Sequence, residues 1–232
     1  TYSYDAPDQA IEILRSALEL NPPKPERGML EITIADIHVF SGEFNQALVM
    51  YSKIQYDFKN SPLAQEARAK VQAGVLGDRI YIIQGSYLQD WLLLDTDWNW
   101  RLDPDKGGQL RAVGDIGTHW IDLTNFISGL EVASVMADLS TFVKVRQQPT
   151  GPVETFSQER AADTIPTDMR TDDAAVILLR YANGARGSVA ISQISAGRKN
   201  SVQWEIDGSS AAAAWDSETP DHLWIGHRGR PN

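Results

Sequence analysis

The chain has no cysteine among its 232 residues, which excludes disulfides and thiolate metal sites while leaving the redox compartment open. It is also short of positive charge: 21 Lys and Arg stand against 31 Asp and Glu, a formal net charge of -10. An acidic surface repels phosphate backbones and anionic lipid, so neither nucleic acid nor a membrane is an expected partner. No apolar run is long enough to cross a bilayer. The start Thr1-Tyr2-Ser3-Tyr4-Asp5 lacks a basic n-region and an apolar h-region, so no signal peptide is read there and the default location is cytoplasmic. A fragment boundary at Thr1 is expected. Absent too is a strand leading into Gly-x-Gly-x-x-Gly with an acid about 20 residues later, the mark of a dinucleotide-binding turn. No cofactor-binding residues are therefore assigned.

What the chain does have is enough apolar content, 42%, to build a core in one large domain or two. The most informative stretch runs from Gly107 to Asp122, where Asp115 and His119 stand four residues apart at the start of a helical pattern. That spacing stacks the two side chains on one helix face. An imidazole beside an acid that orients it is suited to moving the proton of an alcohol or carbonyl. The competing reading makes Asp115 an N-cap after Gly114 and His119 a half-buried helix residue. The helix is predicted over 115–128, ending at Gly129, with Ile116, Trp120, Leu123 and Ile127 as its apolar stripe.

Short β-rich runs surround it: 79–85, 132–138, 141–146, 174–181, 187–194 and 202–207. Asn183-Gly184 marks a hairpin between two of them. The fold class expected is α+β, a mostly antiparallel open sheet with helices on one face, preceded by an all-α helical-repeat segment. Asp172-Asp173 reads as an exposed pair at a strand start, and 211–214 as filler before Trp215. His222 and His227 flank a strand-like Leu223-Trp224-Ile225 without the carboxylates a metal needs, so no metal ligands are assigned. His38 reads as a packing or surface residue.

Residues 9–21 and 30–60 read as amphipathic helices. Ala10, Leu14 and Ala17 align with Ala47, Tyr51 and Ile54 at one constant offset, which indicates an internal repeat. The pattern Gly42-Glu43-Phe44-Asn45-Gln46-Ala47, then Tyr51 and Ile54, resembles a tetratricopeptide repeat. Such repeats bind peptides when several stack, so a protein or peptide partner is an alternative expectation for the N-terminal helices. The division predicted is a tetratricopeptide-like segment over 1–60 and a second domain over 61–232.

Outside the Asp115–His119 stretch, Gly85-Ser86-Tyr87-Leu88-Gln89-Asp90-Trp91, Asp97-Trp98-Asn99-Trp100-Arg101, Ser192-Gln193-Ile194-Ser195-Ala196-Gly197-Arg198-Lys199-Asn200 and Glu205-Ile206-Asp207-Gly208 complete a series. In this order it resembles the substrate half of the glucose-fructose oxidoreductase and inositol dehydrogenase (Gfo/Idh/MocA) family. The resemblance spans residues 61–232. It implies an NAD- or NADP-dependent dehydrogenase acting on a sugar or polyol, with Asp115 and His119 as the catalytic pair beside nicotinamide and hydroxyl. Gln89, Trp91, Trp100 and Arg101 are the substrate-binding candidates, with Trp98 as a further member of an aromatic platform. The family's Glu-Lys-Pro lysine finds no match, since Pro23 precedes Lys24-Pro25 in a linker-like stretch. The domain is expected to be cut at its end and inactive as a single chain, with a homo-oligomer formed through the open sheet face. A helical-repeat scaffold and a fused chain without an evolved function are the alternatives.

Overall fold

The computed structural model describes residues 7–20, 30–31, 33–34, 37–38, 59, 61–151 and 163–230. The chain divides into two compact units, Thr1–Phe58 and Lys59–Asn232. In the first, helix α1 (Pro7–Glu19) turns Ile11 and Leu14 inward. They form a small apolar cluster with Ile34 and Ile37, flanked by Ala10, Leu18 and Leu30. The helix expected over 30–60 falls mostly outside the described residues, as do Gly42 to Ala47, Tyr51, Ile54 and the Lys24-Pro25 linker. The described residues do not show the repeat.

The second unit opens with α2 (Pro62–Gln72), whose N-terminus Ser61 caps by accepting from the Ala64 amide at 3.2 Å. A seven-stranded sheet follows, in the order β2-β5-β6-β1-β7-β8-β9. Its strands are β1 (Ile80–Leu88), β2 (Val132–Ser140), β5 (Ala174–Tyr181), β6 (Arg186–Ser192), β7 (Ser201–Gly208), β8 (Ala211–Asp216) and β9 (Leu223–His227). Every neighbouring pair is antiparallel except β1 with β6. β3 (Val145–Pro149) and β4 (Thr164–Asp168) form a separate two-stranded sheet. The mostly antiparallel sheet agrees with expectation, and the hairpin at Asn183-Gly184 joins β5 to β6, with Gly184 at φ 90°.

Three expectations need correction. The strand predicted over 141–146 starts only at Val145, because the Phe142 and Val143 amides turn away to the Asp173 carboxylate at 2.6 and 2.8 Å. Residues 211–214 are part of β8 rather than filler, with Ala211 and Ala213 buried against the core. The helix begins earlier than Asp115: one π turn over Val113–Gly117 runs directly into α4 (Thr118–Ser128), which Gly129 ends at φ 70°. Between β1 and this run lie a 3-10 turn (Trp100–Leu102) and a single turn α3 (Pro104–Gly107).

The predicted stripe of α4 and its π turn is the buried one, Ile116, Trp120, Leu123 and Ile127. It packs on the sheet face built from Ile83, Ile177, Leu179, Val189, Ile191, Trp204 and Ile206, all buried. Trp120 passes its indole N–H to the Gln203 carbonyl of β7 at 2.8 Å. Gly85 of β1 makes room for this crossing: a Cβ there would run into that carbonyl and lie 2.9 Å from Trp120 Nε1.

The single parallel pair positions the site. Because β1 and β6 run the same way, Leu88 pairs with Ser192 and the loops that follow both strands leave the sheet at one end. β5 and β7 begin at that end, with Ala174 opposite Ser192 and Ser201 opposite Leu88. Backbone bonds from Gln89 N to Ser192 O (2.8 Å) and Gln193 N to Asp173 O (3.0 Å) stitch the loops together.

Candidate active site

Asp115 lies within the π turn, where an i→i+5 bond from Thr118 N to Val113 O widens the helix. Its own amide donates to Arg111 O at 2.7 Å, so it is not the N-cap of the run. That task falls to Asp172, far along the chain, whose two carboxylate oxygens accept from Arg111 N at 2.7 Å and Val113 N at 2.8 Å. The side chain of Asp115, 22% exposed, accepts from Arg101 Nε at 3.1 Å and from Gln193 Nε2 at 2.6 Å.

His119 stands one turn further on, half-buried. Burial pushes its pKa below the ordinary histidine value; the nearby Asp115 and Asp122 carboxylates pull it up, and Arg101 pushes it down. The net direction favours the neutral imidazole, the form with a lone pair to receive a proton. Asp122 is exposed and pairs with Lys59 at 2.6 Å.

Of the four predicted binding residues, Arg101 contacts Asp115 directly, and Trp100, Gln89 and Trp91 connect to it through Arg101 or Gln193. Arg101 reaches Asp115 directly and lays its guanidinium 4.6 Å from the centre of the Trp100 ring. Asn99 caps the 3-10 turn by accepting from Arg101 N at 3.1 Å and holds Arg101 Nη1 at 3.3 Å. Gln89 accepts from Trp91 Nε1 at 2.8 Å and from Gln193 Nε2 at 3.4 Å. Trp98 is half-buried in the same loop.

Several members of the site had no separate role in the sequence reading. Tyr87, at the end of β1, donates to Asn200 Oδ1 at 2.9 Å, and Gln89 Nε2 donates to the same oxygen at 2.8 Å. Burial and the Asp115 charge push the Tyr87 phenol well above its ordinary range, so it is a hydrogen-bonding group and not an acid here. Asp90 accepts from Lys199 Nζ at 2.7 Å, an ion pair that holds its carboxyl below the usual range.

Behind the site lies a fully buried ionic cluster. Asp173 Oδ1 receives Arg111 Nη2 and Arg146 Nη2, the latter at 2.9 Å. Arg146 also donates to the Leu94 and Leu92 carbonyls at 2.6 and 2.8 Å. Arg111 Nη1 donates to Gln193 Oε1 at 2.9 Å. The Asp172-Asp173 pair is thus buried, correcting the exposed assignment, because both carboxylates serve as inward-turned ligands for amides and guanidiniums.

Comparison with known proteins bears on the same segment. The model of the GFO/IDH/MocA C-terminal domain matches residues 64–214. The chain belongs to this family. It is 30% identical over 173 residues to levoglucosan dehydrogenase of Pseudarthrobacter phenanthrenivorans, covering 74% of this chain and 44% of that protein. An oxidoreductase domain protein from Kribbella flavida superposes with a TM-score of 0.65 at 28% identity, over 87% of this chain and 57% of the other. A levoglucosan dehydrogenase in complex with NADH and L-sorbose gives 0.64 at 27%, over 87% and 55%. The chain spans less than half the length of the curated dehydrogenase it matches.

As a member of the GFO/IDH/MocA family the chain raises the question of where a dinucleotide would sit. A pyrophosphate needs a glycine-rich turn feeding free amides at a helix N-terminus. No glycines here are spaced Gly-x-Gly-x-x-Gly. The helical run at the site has its leading amides occupied by the Asp172 carboxylate, an anion already in a phosphate's place. Among the described residues, those at the site do not fit the phosphate part of the cofactor. What they can do is hold a hydroxylated ligand and accept one proton.

Proposed function

We propose that residues 59–230 form the sugar- or polyol-binding half of a GFO/IDH/MocA dehydrogenase site, with His119 as proton acceptor and Asp115 as the anion that orients a sugar hydroxyl. The observation that carries this is the packing of Asp115 between Arg101 and Gln193 with His119, whose pKa burial lowers, one turn away. A sugar hydroxyl placed against His119 meets a lone pair, and its neighbours meet the amides of Gln89 and Asn200 and the guanidinium of Arg101. Trp91 and Trp100 supply apolar faces for ring carbons. Levoglucosan and L-sorbose are the probes, since relatives are named for the one and bound to the other. Hydride acceptance belongs to an NAD-type cofactor held by residues other than these. This chain alone therefore binds the sugar without oxidising it.

Titration of tryptophan fluorescence with levoglucosan and L-sorbose tests the assignment. Saturable binding is expected at pH 8, and it should weaken as the pH is lowered through the depressed His119 pKa and the imidazole loses its acceptor lone pair. Replacement of His119 by alanine should weaken binding at pH 8 by about three- to tenfold and abolish the pH dependence. An affinity unchanged across the pH range in which His119 gains its proton would remove His119 from the reading.

A second expectation concerns self-association. The sheet face away from α4 exposes Ile82, Met136, Val176, Leu178 and Trp224. Arg180 and Arg186 pair across β5 and β6 toward one side of it, and Glu205 and Asp207 of β7 lie toward the other. A two-fold axis through this face sets acids against arginines over an apolar centre, which suits a second copy of the chain. Sedimentation should show a dimer that Leu178→Lys converts to monomer; a monomeric wild-type chain at micromolar concentration would refute it.

A further inference from the structure

Gln193 is buried with no exposed surface, and the direction of its amide is forced. A guanidinium has donors and no acceptor, so the end that faces Arg111 Nη1 at 2.9 Å is the carbonyl oxygen. The end that faces Asp115 Oδ2 at 2.6 Å must then be the NH2 group, which cannot accept. Arg101 Nε, also a donor only, takes the other carboxylate oxygen. Both oxygens of Asp115 are therefore committed as acceptors. Among the described residues no hydrogen bond joins Asp115 to His119.

The chain of polarity begins deeper. Arg111 cannot turn, since its Nη2 is paired with Asp173, which Arg146 and the Phe142 and Val143 amides hold from the other sides. Its main-chain amide is fixed by Asp172. One end of Gln193 is thus tied to the most buried part of the fold, and the other to the acid at the site.

We propose that Gln193 is a positioning residue: its amide, oriented by buried Arg111, tethers Asp115 away from His119 and keeps it acceptor-only, so that a substrate proton goes to the imidazole. This rests on the sugar-binding reading for its purpose, but the tether can be tested without any ligand. The groups acting on His119 are Asp115 and Asp122 from its own helical run and Arg101 from the loop after β1, while the Asp115 charge also acts on Tyr87 of β1.

The test is proton NMR titration of the His119 ring, assigned by loss of its signal in His119→Ala among four histidines. Gln193→Met keeps the volume and loses both contacts; Gln193→Asn keeps an amide for Arg111 but is one methylene too short to reach Asp115 as well. In each, the freed Asp115 oxygen swings to the imidazole and stabilises its charged form. The His119 pKa is expected to rise by about one unit in both, and the rise should vanish when Asp115→Asn is added. An unshifted His119 in folded variants, or a rise that persists with Asp115→Asn, overturns the tether. Failure of both variants to fold overturns it too, by making Gln193 a residue of stability. Absence of sugar binding by the wild-type chain with the shift intact would sink the functional reading alone.

Discussion

Asp173→Asn is expected to lower the unfolding free energy by about 3–5 kcal/mol, the loss characteristic of removing one member of a buried ion pair. Asp173 has no exposed side-chain surface, and neither does Arg146; Arg111 retains 1%. In wild type two guanidiniums and the two carboxylates of Asp172 and Asp173 balance. Asparagine leaves an excess cation in a region from which water is excluded. It also turns an NH2 group toward donors that need an acceptor, on one side the arginines and on the other the Phe142 and Val143 amides. Urea unfolding followed by tryptophan emission measures the loss. A change below about 1 kcal/mol, the value for an exposed pair, would mean that the cluster is hydrated.

That cluster is also where the sequence was least legible. The α4 stripe could be read because helical periodicity is local: Ile116, Trp120, Leu123 and Ile127 recur within one element. β5 could be read because its alternation is local, with Ala175, Ile177, Leu179 and Tyr181 inward and Val176, Leu178 and Arg180 outward. The partners of Asp173 are not local. Arg111 and Arg146 reach it from the loop before the π turn and from β3, and adjacent acids beside a strand look solvated until those cations are placed. The same holds for Asp172, which caps a helical run that precedes it in the chain by more than 50 residues. Local reasoning offered Asp115 as the N-cap because it was the nearest acid; the distant one took the position and released Asp115 for the site.

The site itself divides the same way. Asp115, His119, Arg101, Trp100, Trp91 and Gln89 lie in motifs that carry the family resemblance, and the structure gathers them at one end of the sheet. Gln193 lay in a quoted motif without a role. Its part depends on the parallel pairing of β1 and β6, which brings Ser192 beside Leu88, and strand direction is not written in a strand's own composition. In the N-terminal unit, α1 with its buried Ile11 and Leu14 was legible, while the proposed repeat spacing falls mainly on residues outside those described.

Replacing Trp120 by alanine should cost about 3–5 kcal/mol and remove sugar binding together with stability. Trp120 is fully buried, follows His119 directly, and fixes the height of the helical run over the sheet by its bond to the Gln203 carbonyl. Alanine leaves a cavity over the notch at Gly85 and removes the indole donor from that carbonyl. The run can then shift along β1, and a shift of even one ångström takes Asp115 out of reach of Gln193, whose place is set separately by Arg111. Trp120→Phe separates the two contributions: it retains most of the packing, loses only the N–H bond, and should cost about 1 kcal/mol more than the volume change alone. Chemical unfolding and levoglucosan titration, with Trp91 and Trp100 among the six remaining tryptophans as the reporters at the site, read both quantities on one sample. Retention of full sugar affinity in Trp120→Ala would show that Asp115 and His119 keep their places without this anchor, and that the π turn, held by Asp172 at its start, is the sole determinant of their register.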